Sequence, residues 1–314
     1  MRSFPQTTML WTALAVTALA QQPERDYVAE AEAAYIAGEY AQAAALFETA
    51  ILAGQLSAPV LYNTACCYAL TARVDRAFEC LDRAIAAGWR DVEHVQNDAD
   101  LRSLHDDARW AEVLKKCTAA RERFRRSLKK PELYDELMRR MQADQRVRQG
   151  PATDPTEMRK IDDDNTAWLK RVVADHGWPT ISLVGEEGEL AAFLLIQHAG
   201  PKQELEFQKK CLDLMKTALE KKDVRPTSVA YLTDRVLMYE GKPQIYGTQF
   251  VLKDGTYQPY AIEDEEHVDA RRAALGLPPM TETKAQMRAL SPTPTQPASQ
   301  PATQPASQPA SQPK

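Results

Sequence analysis

The sequence predicts a mainly α-helical protein: a short helical-repeat array followed by a helical domain that carries one β-hairpin. Three observations lead there. A pattern of small and large apolar residues recurs at one fixed offset in the first half. Apolar residues fall at three- and four-residue spacing through most of the second half, and that spacing gives way to strand-like runs on either side of Asp254-Gly255. At 314 residues the chain has room for two domains of ordinary size. With 44% hydrophobic and 26% charged residues and a net charge of -5, it has a globular composition and lacks the basic excess of a nucleic-acid binder. The basic run "RERFRRSLKK" from Arg121 to Lys130 reads as the solvated end of a helix and a linker.

Both termini carry their own signatures. Arg2, the apolar stretch "MLWTALAVTALA" and its Ala18-Leu19-Ala20 ending have the order of a secretory signal over residues 1–20, with Gln21 as the first mature residue. The stretch is too short for a comfortable membrane span, so export to the periplasm or medium without a transmembrane span in the mature chain is expected. At the other end, a Pro/Gln/Ala/Ser/Thr-rich tail, assigned to residues 281–314, has almost nothing with which to build a core and is expected to be disordered. The five cysteines show no metal-ligand spacing and mostly take small apolar helix positions, which marks them as core residues; a bridge between Cys67 and Cys80 stays open.

In the first half, "GEYAQAAALFETAI" begins at Gly38 and "ARVDRAFECLDRAI" at Ala72. Ala43, Phe47 and Ala50 recur as Ala77, Leu81 and Ala84, each 34 positions later. Small, large and small at i, i+4 and i+7 lie on one helix face, where small residues admit close helix approach. A second helix precedes each copy, about Asp26 to Ala37 and Pro59 to Thr71, and a degenerate third unit places Trp110, Val113 and Leu114 as a cap. The period and pattern resemble the tetratricopeptide repeat, and the module is assigned to residues 24–130. Ala72 departs from the usual turn glycine. The resemblance implies a concave groove for a protein or peptide partner, lined from the first helices by Tyr35, Tyr62 and Asn63; a packing platform is the alternative.

The second domain, assigned to 131–280, opens with Pro131 in a helix first turn and a Leu133, Leu137, Met141 stripe. "DPTE" announces the next helix, with Asp154 as N-cap and Pro155 first, ended by Gly177. "GELAAFLLIQHA" is apolar all round and so buried. Helices marked by Leu205 to Leu219 and by Thr227 to Glu240 follow. "QIYGTQFVLK" and "TYQPYAI" then flank the Asp254-Gly255 hairpin signal, and "HVDARRAALG" closes the domain as a short helix.

Several polar residues sit where apolar ones are expected: Asn165 on the stripe of its helix, Gln197 and His198 at the end of the buried helix, Arg235 beside the next stripe, and Asp234, Gln244, Tyr246 and Gln249 around it. Buried without partners, each costs a few kcal/mol, so they must meet one another, backbone or a ligand. "GWP", "QHA", "DRV" and "QIYGTQ", in this order, resemble a bacterial family known as a domain of unknown function, number 6624, which implies one domain and no particular reaction. The sequence shows no nucleophile elbow, phosphate loop or zinc-protease motif, no metal-ligand spacing among the histidines and no sign of a cofactor. Two readings remain open. One is an interaction protein with a polar ligand pocket of Asn165, Gln197, Gln244, Tyr246 and Gln249. The other is a hydrolase or transferase with His198 as general acid or base, assisted by Asp234 and Arg235.

Overall fold

The computed structural model describes residues 26–149, 154–200 and 203–291, so the expected export signal and the Pro/Gln-rich stretch from residue 292 lie outside the described residues. The chain divides into two compact units between Phe124 and Arg125. This lies six residues before the boundary expected from the sequence, and the Arg125 guanidinium pairs with Asp135 of the second unit at 2.7 Å.

In the first unit α1 (Tyr27–Ile36) packs on α2 (Tyr40–Leu52) and α3 (Ala58–Leu70) on α4 (Val74–Ala86). The repeat residues Ala43, Phe47, Ala50, Ala77, Leu81 and Ala84 are all buried, as the shared offset requires. Each pair turns in the same way. Gly38 has φ +78° and Ala72, at the matching position, has φ +57°, while Glu39 and Arg73 donate their amides back to Ala34 and Tyr68. The second turn thus keeps a left-handed geometry that an L side chain disfavours. α5 (Val92–Asn97), a 3-10 turn (Ala99–Leu104) and α6 (Trp110–Ser127) follow, and Trp110 and Val113 are buried in the same core. All five cysteines are buried free thiols, with no bridge from Cys67 to Cys80. Burial pushes Cys67 and Cys211 up to about 12 and Cys80 and Cys117 to about 11, far from a reactive thiolate.

The second unit is a helical bundle with a small hairpin. α7 (Pro131–Gln149) packs on α8 (Pro155–His176) and α9 (Ile181–His198); α10 (Leu205–Glu220) packs on α11 (Pro226–Tyr239). Asp154 caps α8 through the Thr156 amide, and Gly177, at φ 73°, ends it. α9 starts earlier than the apolar run implied: a first turn precedes Gly185, whose φ of 73° breaks the helix before it resumes. β1 (Phe250–Lys253) and β2 (Thr256–Pro259) pair antiparallel around Asp254 and Gly255, both at positive φ, the geometry that a two-residue hairpin loop favours.

Two expectations are corrected here. The first strand does not reach back to Gln244: Gly247, at φ 67°, cannot hold an extended conformation, and residues 244–249 form a loop. The domain also does not end at 280. After α12 (Val268–Ala274), α13 (Met280–Ala289) packs on β2, and Ser291 accepts the Tyr257 amide at 3.0 Å.

A buried carboxyl with few donors sits inside the bundle. Glu189 on α9 is fully buried; one carboxyl oxygen has no hydrogen-bond partner among the described residues and the other lies 3.5 Å from Ser228. Burial pushes its carboxyl up to about 7, with Arg225 acting in the opposite direction. The folded form therefore holds its proton more tightly than the unfolded chain. The associated stability is complete below about pH 4 and is lost as pH rises towards 7, roughly 3 kcal/mol in all. Glu189→Gln should remove this loss, so that urea midpoints of the variant fall less between pH 4.5 and 7.5 than those of the wild type. In the repeat unit, Ala72→Gly should relieve the left-handed strain and raise stability by about 0.5–1 kcal/mol. An unchanged or lower melting temperature would show that the turn carries no such strain.

Candidate functional site

The apolar stripe of α7 runs through Leu137 and Met141 and arrives, three residues on, at Asp144, which is fully buried. What meets it comes from three helices. Arg148, one turn along α7, sets its guanidinium on both carboxylate oxygens at 2.9–3.1 Å. Gln145 donates to the same group at 2.9 Å. From the end of α9, Nδ1 of His198 lies 3.1 Å from each Asp144 oxygen. On α8, Asp162 completes the cluster through a short contact with Arg148.

Electrostatics assigns the roles. Burial alone would push the Asp144 carboxyl up, but His198 and Arg148 outweigh it and hold the group at about 2. Asp144 is therefore ionised at neutral pH and can only accept, so Nδ1 of His198 carries the hydrogen, and Nε2 has no hydrogen-bond partner among the described residues. Asp162 is shifted the other way, raised first by burial, with Arg148 lowering it in part. Asp144, Asp162 and His198 offer ligand atoms within 4.8 Å of one another, a spacing that would suit a divalent cation. The guanidinium of Arg148 lies against both carboxylates and supplies the positive charge there.

A second rung lies one turn away. Arg140 on α7 donates to Asn165 at 2.9 Å and Asp164 at 2.7 Å, and its guanidinium covers the Trp168 ring at 4.6 Å. Asn165 is buried and its side-chain nitrogen has no partner. Arg235 reaches the same end of α9 from α11, donating to the Gln197 carbonyl at 2.9 Å, while its own buried Nε has no partner. Of the residues singled out in the sequence, Arg235 thus meets the backbone carbonyl of Gln197, next to His198 in the chain, and Asn165 lies on the neighbouring rung.

The remaining candidates have a different occupation. Asp234, fully buried, accepts the amides of Ile245, Tyr246 and Thr248 at 2.8–3.2 Å and the Thr248 hydroxyl at 2.9 Å. Gln244 closes the loop on itself: its Oε1 accepts the Gln249 amide at 2.6 Å, and its Nε2 donates to the Gln249 and Tyr260 carbonyls. Gln249 donates to Thr248 at 3.0 Å and to the Tyr231 carbonyl at 3.4 Å. Tyr246 offers its carbonyl to Arg272, a buried guanidinium that also binds Pro278 and Thr283. At Gly247 a Cβ would come within 2.8 Å of Ile262 and 3.0 Å of Met280. The expected pocket of Gln244, Tyr246 and Gln249 is therefore corrected to a loop wrapped on Asp234, and Asp234 holds backbone rather than facing His198.

The groove residues are corrected in the same way. Tyr62 is 1% exposed, donates to Asp98 at 2.7 Å and stacks on Trp89 at 3.9 Å. Tyr35 donates to Asp100. The 3-10 turn carrying Asp100 packs on α3, so the chain itself uses these hydroxyls. Asn63 is half-buried.

A family model described as a family of unknown function (DUF6624) matches residues 131–290. No curated protein and no solved structure matches the chain.

The loop network should weigh on stability. Asp234→Ala strands several buried donors at about 1–3 kcal/mol each, so urea unfolding should show a loss of at least about 3 kcal/mol. Gln249→Ala should cost about 1–3 kcal/mol. Wild-type midpoints in both variants would contradict the assignment of this network to the fold.

Proposed function

On the premise that the chain belongs to the family of unknown function DUF6624, we propose an exported protein that pairs an interaction module with an acid–base site at His198. In this reading the family domain is a hydrolase or transferase, and the first unit, a tetratricopeptide-like module, recruits or docks a protein. The observation that carries it is the bond between His198 Nδ1 and the buried Asp144 carboxylate. That bond orients the ring and leaves Nε2 to take a proton from an attacking water or hydroxyl and return it to the leaving group. His198 and Arg148 keep Asp144 ionised, and Arg235, expected to assist His198, donates to the Gln197 carbonyl at the helix end.

The shared offset of Ala43, Phe47 and Ala50 with Ala77, Leu81 and Ala84 supports the repeat assignment. Because Tyr35 of α1 and Tyr62 of α3 are bound to the following segment, a docking platform fits the first unit better than a peptide groove lined by these two helices. Export rests on the Arg2 to Ala20 pattern; native protein should begin at Gln21 by mass spectrometry.

The test of the site uses the full chain against chromogenic carboxyl, phosphoryl and glycosyl ester substrates, with His198→Gln and Asp144→Asn as variants. Turnover should fall by roughly 10²–10⁴ in His198→Gln, while circular dichroism stays that of the wild type. Turnover that survives His198→Gln would overturn the acid–base assignment. Ligand binding without turnover, sensitive to the same variants, would favour a binding domain instead.

A further inference from the structure

The last turn of a helix leaves its carbonyls without amide partners, and in α9 that turn carries His198. Side chains from two other helices take these carbonyls. Gln208 on α10 donates Nε2–H to Ala199 O at 3.1 Å and to Ile196 O at 3.4 Å. Arg235 on α11 donates to Gln197 O. The carbonyls on both sides of the histidine are thereby tied to the bundle.

Gln208 is an unusual residue for its place. It is fully buried on the face of α10 that also carries Cys211, Leu212 and Met215, where an aliphatic side chain would pack without a polar cost. Its Oε1 is buried with no partner among the described residues, so the site tolerates an unsatisfied acceptor while keeping the donor. Among the described residues, the hydrogen bonds this amide makes are to the turn that holds His198. That turn has a demanding task. It must place an imidazole nitrogen 3.1 Å from a carboxylate on α7, 54 residues away in the chain, and displacements of an ångström are enough to disable such pairs.

We propose that Gln208 is a positioning residue for His198, holding the final turn of α9 so that Nδ1 stays on Asp144. The inference rests on the reading of His198 as the acid–base group. It concerns Gln208 acting through the backbone, with no contact to a substrate.

The test reads the ring N–H of His198 in the full chain by proton–nitrogen NMR. In the wild type, Nδ1–H held on a buried carboxylate should give a protected downfield resonance. Gln208→Met keeps the volume and removes the donor. The folded variant should exchange this proton about tenfold faster or lose the resonance altogether. A folded Gln208→Met chain with unchanged ring exchange would overturn the proposal, since a purely structural glutamine lowers stability without moving the dyad. Should the variant fail to fold, the wild type decides in sub-denaturing urea. The Gln208 side-chain amide and the His198 ring proton are expected to open with the same urea dependence. Separate openings would overturn the coupling. Turnover that survives His198→Gln would end the functional reading and leave these measurements intact, so the two failures are distinguishable.

Discussion

A carboxylate taken out of water must collect donors, and in this protein that requirement organises three separate stretches of chain. Asp98 gathers the Tyr62 hydroxyl, the Cys66 thiol and the Asp100 amide, fastening the segment after α4 to α3. Asp144 gathers Arg148, Gln145 and His198, joining α7 to α9, and Arg148 carries the connection on to Asp162 of α8. Asp234 gathers three amides and a hydroxyl from a loop that would otherwise have no regular structure. Glu189 is the instructive contrast. It has one distant hydroxyl and an empty oxygen, and its carboxyl is the one pushed upward to about 7.

These anchors decide what the second domain can do. The imidazole of His198 stands on a helix whose last turn is tied from α10 and α11, and it meets a carboxylate from α7. A site assembled from several helix positions is held more tightly than one on a free loop. The Asp234 loop is the opposite arrangement: its polar groups are directed at backbone, and Arg272 closes it from α12. Both networks contain amides, carboxylates and a guanidinium. Only the first contains an imidazole, and among the described residues its Nε2 makes no hydrogen bond.

Part of the candidate site was legible in the chain. His198 and Gln197 stand out because they continue an apolar line and Arg235 because it flanks one, and Arg235 does reach the Gln197 carbonyl. Asp144 carries such a signal too: it continues the Leu137, Met141 stripe at i+3. Gln208 gives the same signal on the α10 stripe, beside Cys211, Leu212 and Met215. Asp234 and Gln249 also interrupt apolar positions, yet they serve the loop. Interruption of a stripe marks a polar group that needs a partner, and it does not say whether that partner is backbone, side chain or substrate.

The sequence by itself determined the repeat offset, the bounds of most helices, the left-handed turn at Asp254-Gly255 and the cysteines' place in the core. These follow from rules acting over a few residues: the 3.6-residue period, capping and the φ values a residue tolerates. Tertiary structure alone decided that His198 meets Asp144, that Tyr62 is spent on Asp98, and that residues 244–249 wrap Asp234 instead of extending β1. The physical reason is that a buried polar group takes whichever donor or acceptor the fold delivers. The partner of His198 lies 54 residues away on another helix, where no local pattern can specify it.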